Sequence, residues 1–448
     1  MNTHSFALIG HPVGHSMSPF LHSRLFSISG ADARYTMADI APESLAASLE
    51  RLRKLDGFNI TIPHKEAIIP FLDHLDDRAA ESGSVNTVKI ENGTLTGFTT
   101  DGEGFRRALE SAGVSLGGTV AVLGAGGAAR AVTFEAAHAG AAVTIAARGH
   151  SLAAAERLCA DLRQKVPGAK AESRLISGLH GTWDLLVNAT PAGMYPHTET
   201  CAAPEELVAN CSCVFDAVYN PGETKLLALA KRHGKKAVGG IGMLVCQAAA
   251  SEEIWLGSRF SGRELQNLFA LTSLEVRRQF GNIVLCGFMG SGKTTCGSLL
   301  ARNLNRRFVD LDDFIERREG MKVSEIFARK GEPAFRRMEC EAVKELSSQT
   351  GLVVAAGGGT LLKKENADAL RANGIVVLLD ASLDTVRERL RGDTARPLLH
   401  QPGNEDAVGT LYRERVALYR AAADFAVPAD GTPEATVLAL QKLMAPAT

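Results

Sequence analysis

Along the first hundred residues, short apolar runs rich in β-branched side chains alternate with polar stretches of helical pattern. The runs at 6–10, 34–37, 57–62, 85–90 and 94–98 each stop near Gly, Pro or Asn and predict strands. From residue 118 the pattern becomes a strand at 119–123, a glycine turn, an Ala-rich helix at 128–138 and a strand at 142–146, with further strands at 184–188, 213–217 and 236–238. Strand and helix in alternation predict a doubly wound α/β unit whose ligand crevice lies at the strands' carboxyl ends. Residues 243–278 read as helix throughout, and the connection to a second unit is placed at 277–282. That second α/β unit starts with the strand 283–286, continues through 308–311, 352–356 and 375–380, and ends with a helix before 425–428. There is no low-complexity linker between the units and no internal repeat.

Length agrees with two units: 448 residues exceed the roughly 250 to 300 at which one core stops growing. A net charge of -1 provides no field for nucleic acid or an anionic membrane, so neither is expected as a partner. The eight cysteines form no C-x-x-C pair and are expected as free thiols in a reducing cytosol. The opening residues lack the basic and long apolar regions of a signal peptide, and no uncharged apolar run reaches about 18 residues, so a cytoplasmic protein is expected.

Two glycine turns carry the candidate chemistry. In the first, Gly124, Ala125, Gly126, Gly127 and Ala128 stand between a predicted strand and helix, where missing side chains let the backbone approach a pyrophosphate and the helix N-terminus favours its charge. The next strand ends in Ala146-Ala147-Arg148, with no acid for a ribose 2′-hydroxyl, so Arg148 points to the 2′-phosphate of NADP or NADPH. The second turn, residues 287–295, reads GFMGSGKTT and is a complete G-x-x-x-x-G-K-T phosphate loop. There Gly290, Ser291, Gly292 and Thr295 belong to the cradle for ATP, Lys293 reaches the β and γ phosphates, and Thr294 ligates Mg2+. Without their surroundings, the first turn could be plain packing and Arg148 a solvated loop residue.

Seven segments in order, HSMSP (15–19), NITIPHK (59–65), SVNT (84–87), GFTTDG (97–102), NATPAGM (188–194), DAVYNPGETKLL (216–227) and GMLVCQA (242–248), resemble shikimate dehydrogenase over about residues 1–275. The resemblance implies that Ser16 and Ser18 hold the substrate carboxylate, that Thr61, Asn86, Tyr219 and Gln247 bind ring hydroxyls or the carboxylate, and that Lys65 and Asp101 are the catalytic pair. It adds Thr190, Gly240 and Met243 to the NADP site. The chemistry wants such a pair, since hydride arriving at a ketone leaves charge on oxygen that an ammonium can neutralise while a carboxylate orients it. The chain departs from the family's pattern at Thr99, Ala147 and Gly149.

Five further segments, FVDLDDFIE (308–316), FARKGEPAFRRME (327–339), AAGGGT (355–360), RPLL (396–399) and RVALYRAAAD (415–424), resemble shikimate kinase over about residues 280–445. By that resemblance Asp310 helps hold Mg2+, Asp312 binds the acceptor hydroxyls and draws off a proton, Arg336 and Arg415 grip the carboxylate, Gly358 and Gly359 present backbone to the ring, and Arg396 comes from a lid over ATP. Paired guanidinium groups suit a small acid's carboxylate. As isolated residues these acids and arginines could equally be turn and surface groups.

The expected fold is α/β throughout. Residues 1–276 should hold a substrate domain (about 1–101 plus 240–276) and a Rossmann NADP domain (about 102–239), and 279–448 a P-loop domain like the nucleoside-monophosphate kinases. The two resemblances together imply a fused enzyme of aromatic amino-acid biosynthesis that reduces 3-dehydroshikimate and phosphorylates the shikimate it makes. The competing expectations are an NAD-dependent quinate or shikimate dehydrogenase fused to a kinase, and a non-catalytic metabolite-binding regulator derived from such enzymes.

Overall fold

Apolar runs become strands where a sheet is covered on both faces, because only there does every side chain of the run find a dry neighbour. The computed structural model describes residues 3–14, 16–391 and 406–445. The chain divides into two compact units, Met1–Ser273 and Leu274–Ala447.

The first unit contains two sheets. One is built from β1 (His4–Gly10), β2 (Ala33–Asp39), β3 (Gly57–Ile60), β4 (His74–Leu75), β5 (Thr87–Glu91) and β6 (Thr94–Phe98), in the order β2-β1-β3-β5-β6-β4. Only β5 runs against its neighbours β3 and β6. The other comprises β7 (Thr119–Leu123), β8 (Ala142–Ala147), β9 (Lys170–Leu175), β10 (Trp183–Asn188), β11 (Cys211–Asp216) and β12 (Lys236–Gly239), all parallel in the order β12-β11-β10-β7-β8-β9. Its strand order reverses between β7 and β10, which is where a doubly wound sheet opens a ligand crevice. The helix Gly240–Leu256 then packs on the helix Asp101–Ser111 so closely that a Cβ on Gly104 would stand 2.7 Å from Met243 O and 2.8 Å from Gln247 Cβ. That contact sets Gln247 beside the first sheet.

The second unit has one parallel sheet of β13 (Asn282–Cys286), β14 (Arg307–Asp310), β15 (Leu352–Ala355), β16 (Gly374–Asp380) and β17 (Phe425–Pro428), ordered β14-β15-β13-β16-β17. Every residue of the central β13 is buried, and the phosphate loop begins directly after it.

Three features differ from the sequence expectation. β9, of sequence KAESRL, has no apolar run and forms by pairing along β8 from Ala142↔Lys170 to Ala147↔Leu175; with one edge free it needs little burial of its own. The predicted helix at 243–278 is two helices, Gly240–Leu256 and Gly262–Phe280, separated after a left-handed Gly257 with φ 69°. The expected connection at 277–282 is largely helical, since the second of these helices continues to Phe280. Among the described residues, no helix is long and apolar enough to cross a membrane.

One buried acid carries a measurable cost. Glu252 is fully buried on the helix Gly240–Leu256; its Oε1 accepts from Ser29 Oγ at 2.7 Å, and its Oε2 has no partner among the described residues. Burial pushes this carboxyl from its ordinary 4.5 up to about 7, with the Ser29 bond opposing. The folded state therefore holds the proton more tightly than the unfolded chain, and this group's contribution to stability falls as pH rises from about 4.5 to about 7. Glu252→Gln is expected to stabilise the first unit by about 1–3 kcal/mol at pH 8 and by nothing at pH 4.5. Trp183 and Trp255 are the chain's two tryptophans and both lie in that unit, so urea unfolding followed by their fluorescence at the two pH values checks it.

Candidate functional sites

In the first unit, Asp101 opens the helix Asp101–Ser111 directly after β6, which places its carboxylate at a helix N-terminus. Its Oδ2 accepts from Lys65 Nζ at 2.5 Å and its Oδ1 from Asn86 Nδ2 at 2.9 Å, and both members of the ion pair are largely buried. Lys65 comes from the short helix His64–Ala67 beyond the end of β3. Asn86 is held in turn. Its Oδ1 accepts from the Thr100 amide at 2.7 Å, and its Nδ2 also faces Thr100 Oγ1 at 2.9 Å and Gln247 Oε1 at 3.1 Å, so two amide protons are shared among three acceptors.

A buried polar chain extends from this cluster. Ser251 Oγ lies 3.3 Å from Thr100 Oγ1 and 2.8 Å from Thr87 Oγ1, and accepts from Asn59 Nδ2 at 3.0 Å. Asn59 Oδ1 accepts from the Tyr35 hydroxyl at 2.7 Å, and burial pushes that phenol up, an effect that nearby Ser18 opposes. Ser16 and Ser18 face each other with their hydroxyls 3.2 Å apart. The fold thus links the predicted serine pair to the predicted Lys–Asp pair through side chains that the sequence expectation did not select. Asn59 lay inside a quoted motif and could have been chosen, whereas Ser251 sits in ASEEI, which reads as ordinary helix.

Thr61 leaves β3 with its amide bonded to Ile9 O at 2.9 Å and its side chain against Gly10. Half-buried Tyr219 follows β11, and burial pushes its phenol up. At the glycine turn, Gly124 has φ 109° and a Cβ there would meet Thr190 Cγ2 at 2.9 Å, so no other residue fits; Thr190 is pinned by Asn188 Oδ1, which accepts from its amide at 3.0 Å. The helix Gly127–His138 begins immediately, behind Ala125 and Gly126 and with Ala128 in its first turn. A Cβ on Gly127 would stand 3.4 Å from Lys65 Cδ, so the turn and the proposed proton donor are neighbours. Gly240 and Met243 are buried in the first turn of their helix. Arg148 is not drawn into this cluster. It stands exposed after β8, its carbonyl accepting from the Ser151 amide at 2.8 Å, and its guanidinium makes no hydrogen bond or ion pair among the described residues.

In the second unit, Gly290 and Gly292 take left-handed φ values of 77° and 92° in the phosphate loop. Ser291 between them is buried, and Thr295 lies in the first turn of the helix Lys293–Asn303. Lys293 Nζ donates to Gly287 O at 2.9 Å and Phe288 O at 3.0 Å, and Thr294 Oγ1 donates to Asp310 Oδ2 at 2.7 Å. Asp310 also caps the helix Leu311–Glu319 by accepting from the Asp312 amide at 3.1 Å, so one carboxylate fixes both the metal-ligand candidate and the base candidate.

Around Asp312 the chain gathers the other predicted residues. A Cβ on Gly357 would lie 2.8 Å from Asp312 Oδ1, and one on Gly359 would lie 2.5 Å from Arg336 Nη1. Gly358 O accepts from Arg415 Nη1 at 3.5 Å and from the Tyr419 hydroxyl. Glu339, not selected from sequence, is almost wholly buried and ties the two sides together: its Oε2 accepts from Arg336 Nη1 at 3.0 Å and its Oε1 from Thr360 Oγ1 at 2.6 Å. Arg396, expected on a lid, lies outside the described residues, as does His15 of the serine motif.

Burial, reinforced by the Asp310 and Glu339 carboxylates and opposed by Lys293, pushes the Asp312 carboxyl up to about 6. Removing one of those like charges lowers the cost of ionising it. Glu339→Gln is expected to move the Asp312 titration to lower pH by several tenths of a unit, read from its carboxyl carbon by NMR, with Asp312→Asn identifying the resonance.

Comparison with known proteins respects the same division. Residues 8–88 match the family model described as "Shikimate dehydrogenase substrate binding domain", and residues 289–444 match that described as "Shikimate kinase". Over 257 residues the chain is 42% identical to the shikimate dehydrogenase (NADP(+)) of Moorella thermoacetica, an alignment covering 56% of this chain and 87% of that protein. The shikimate 5-dehydrogenase of Thermus thermophilus, solved in complex with NADP(H) and shikimate, is 34% identical with a TM-score of 0.54, covering 60% of this chain and 99% of its own. A chorismate mutase/shikimate 5-dehydrogenase fusion protein from Clostridium acetobutylicum is 33% identical with a TM-score of 0.54, covering 62% and 99%. Matches of that extent make this chain a member of the shikimate dehydrogenase family that carries a shikimate kinase domain in its second unit.

Proposed function

We propose that the first unit reduces 3-dehydroshikimate to shikimate with NADPH and that the second transfers the γ-phosphoryl group of ATP to the shikimate 3-hydroxyl. The observation that carries the reductive half is the buried Lys65–Asp101 pair at 2.5 Å, set against the glycine turn.

The turn fits a dinucleotide because its first glycine admits no side chain and a helix N-terminus comes directly after it. Gly126, Gly127 and Ala128 would face the pyrophosphate and Arg148 the 2′-phosphate; when bound, the dinucleotide supplies a hydride. The chain supplies the rest. Ser16 and Ser18 hold the substrate carboxylate, and Thr61, Asn86 and Gln247 orient the ring. Lys65 Nζ donates a proton to the carbonyl oxygen as hydride reaches the carbonyl carbon, and Asp101, fixed by Asn86, keeps that ammonium aimed.

In the second unit Lys293 neutralises charge on the phosphates, while Arg336 and Arg415 bind the acceptor carboxylate beside Gly358 and Gly359. Thr294 and Asp310, already 2.7 Å apart, would hold Mg2+ together with phosphate oxygens; among the described residues no cluster of three or more His, Cys, Asp or Glu forms a metal cage, and a Mg2+ ion shared with phosphates needs none. When bound, the ion would offset the charge of the phosphates. Asp312, with its carboxyl up near 6, is poised at neutral pH to accept the proton of the attacking hydroxyl.

Two outcomes test this reading. Lys65→Ala should lower reductase kcat by about 10² to 10⁴-fold while kinase turnover in the same protein stays near wild type, because a positioned proton donor contributes on that scale. A reductase rate equal to wild type removes Lys65 as donor. Arg148→Ala should raise KM for NADPH several-fold more than KM for NADH, since only the former carries the 2′-phosphate. Steady-state assays with both cofactors decide it, and equal effects would dissolve the cofactor preference.

A further inference from the structure

Ser84 lies between the helix Asp77–Ser82 and β5, where the first sheet's segment meets the dinucleotide turn. The segment is fixed at both ends. Arg130 Nε, in the helix Gly127–His138, donates to Ser82 O at 2.5 Å, and the Val85 amide donates to Lys65 O at 2.9 Å. The Ser84 hydroxyl is fully buried and has no hydrogen-bond partner among the described residues. Buried hydroxyls are rarely left so, since each forfeits its bonds to water.

The hydroxyl faces the start of a helix. A Cβ on Gly127 would stand 3.5 Å from Ser84 Oγ, so the hydroxyl lies beside the first residue of a twelve-residue helix. The leading amides of that helix have no intrahelical acceptor and carry partial positive charge. A donor without an acceptor and a set of amides without acceptors therefore meet at one place. A phosphate oxygen would satisfy both.

We propose that Ser84 is a ligand of the dinucleotide, donating its hydroxyl proton to a pyrophosphate oxygen seated at the N-terminus of the helix Gly127–His138. The proposal rests on the dinucleotide reading of that turn. It makes the segment carrying the Val85–Lys65 bond part of the cofactor site, so a bound pyrophosphate steadies the backbone of the proton donor as well as its own cradle.

The test uses the full-length chain and two probes, NADP+ and 2′-phospho-ADP-ribose, which share the pyrophosphate and differ at the nicotinamide end. Calorimetric titration of Ser84→Ala should show both probes weakened by the same factor, about 10- to 100-fold, the range for a hydrogen bond to a charged acceptor. The free variant should melt no lower than wild type, because it loses a hydroxyl that had no partner. Wild-type affinity in the variant overturns the proposal. A loss seen with NADP+ alone would place the contact at the nicotinamide end and overturn it as well, and a melting temperature lowered by several degrees would assign Ser84 a structural role instead. Failure of wild-type protein to bind either probe would defeat the dinucleotide reading itself.

Discussion

Both units depend on a parallel strand that is buried on its two faces and hands over to a helix through glycine. β13 is buried throughout and β7 from Val120 onward, so groups that can meet a ligand are confined to the carboxyl ends. There a helix begins, and the first amides of a helix, lacking intrahelical acceptors, favour an anion. The candidate reactive side chains are arranged around these two turns: Lys65 packs against Gly127 in one, and Thr294 and Asp310 meet beside the phosphate loop in the other.

The two sites handle charge differently. Lys65 and Asp101 form a nearly dry pair whose second carboxylate oxygen is taken by Asn86, so charge is balanced before any ligand arrives. In the second unit, Asp310, Asp312 and Glu339 are set against Lys293, Arg336 and Arg415, and burial with like charges holds the Asp312 carboxyl up near 6. The first arrangement suits holding an ammonium ready to give up a proton, and the second suits a carboxylate ready to take one.

Glu339 and Ser251 illustrate how each site is supported from behind. Glu339 touches Arg336 and Thr360 and thereby holds the helix Glu332–Ser347 against the glycine loop. Ser251 joins the helix Gly240–Leu256 to three residues of the first sheet's cluster, Asn59, Thr87 and Thr100. Neither looks unusual in sequence, since a glutamate or serine within a helical pattern is most often a solvated residue.

The linear sequence by itself determined the α/β class, most strands and the two glycine turns, because apolar periodicity and glycine spacing are local properties of the chain. The segments resembling the two families also singled out Lys65, Asp101, Asp312, Arg336 and Arg415 as candidates, which the fold brings into two clusters. Edge strands such as β9, the break at Gly257 and the helix running through the expected connection were decided only in the tertiary structure, by pairing and capping that no local run announces. So were the partners of the site residues. Asn59 and Ser251 are 192 positions apart and Asn86 and Gln247 161, and a hydrogen bond across such a span exists only once packing has brought the two backbones together.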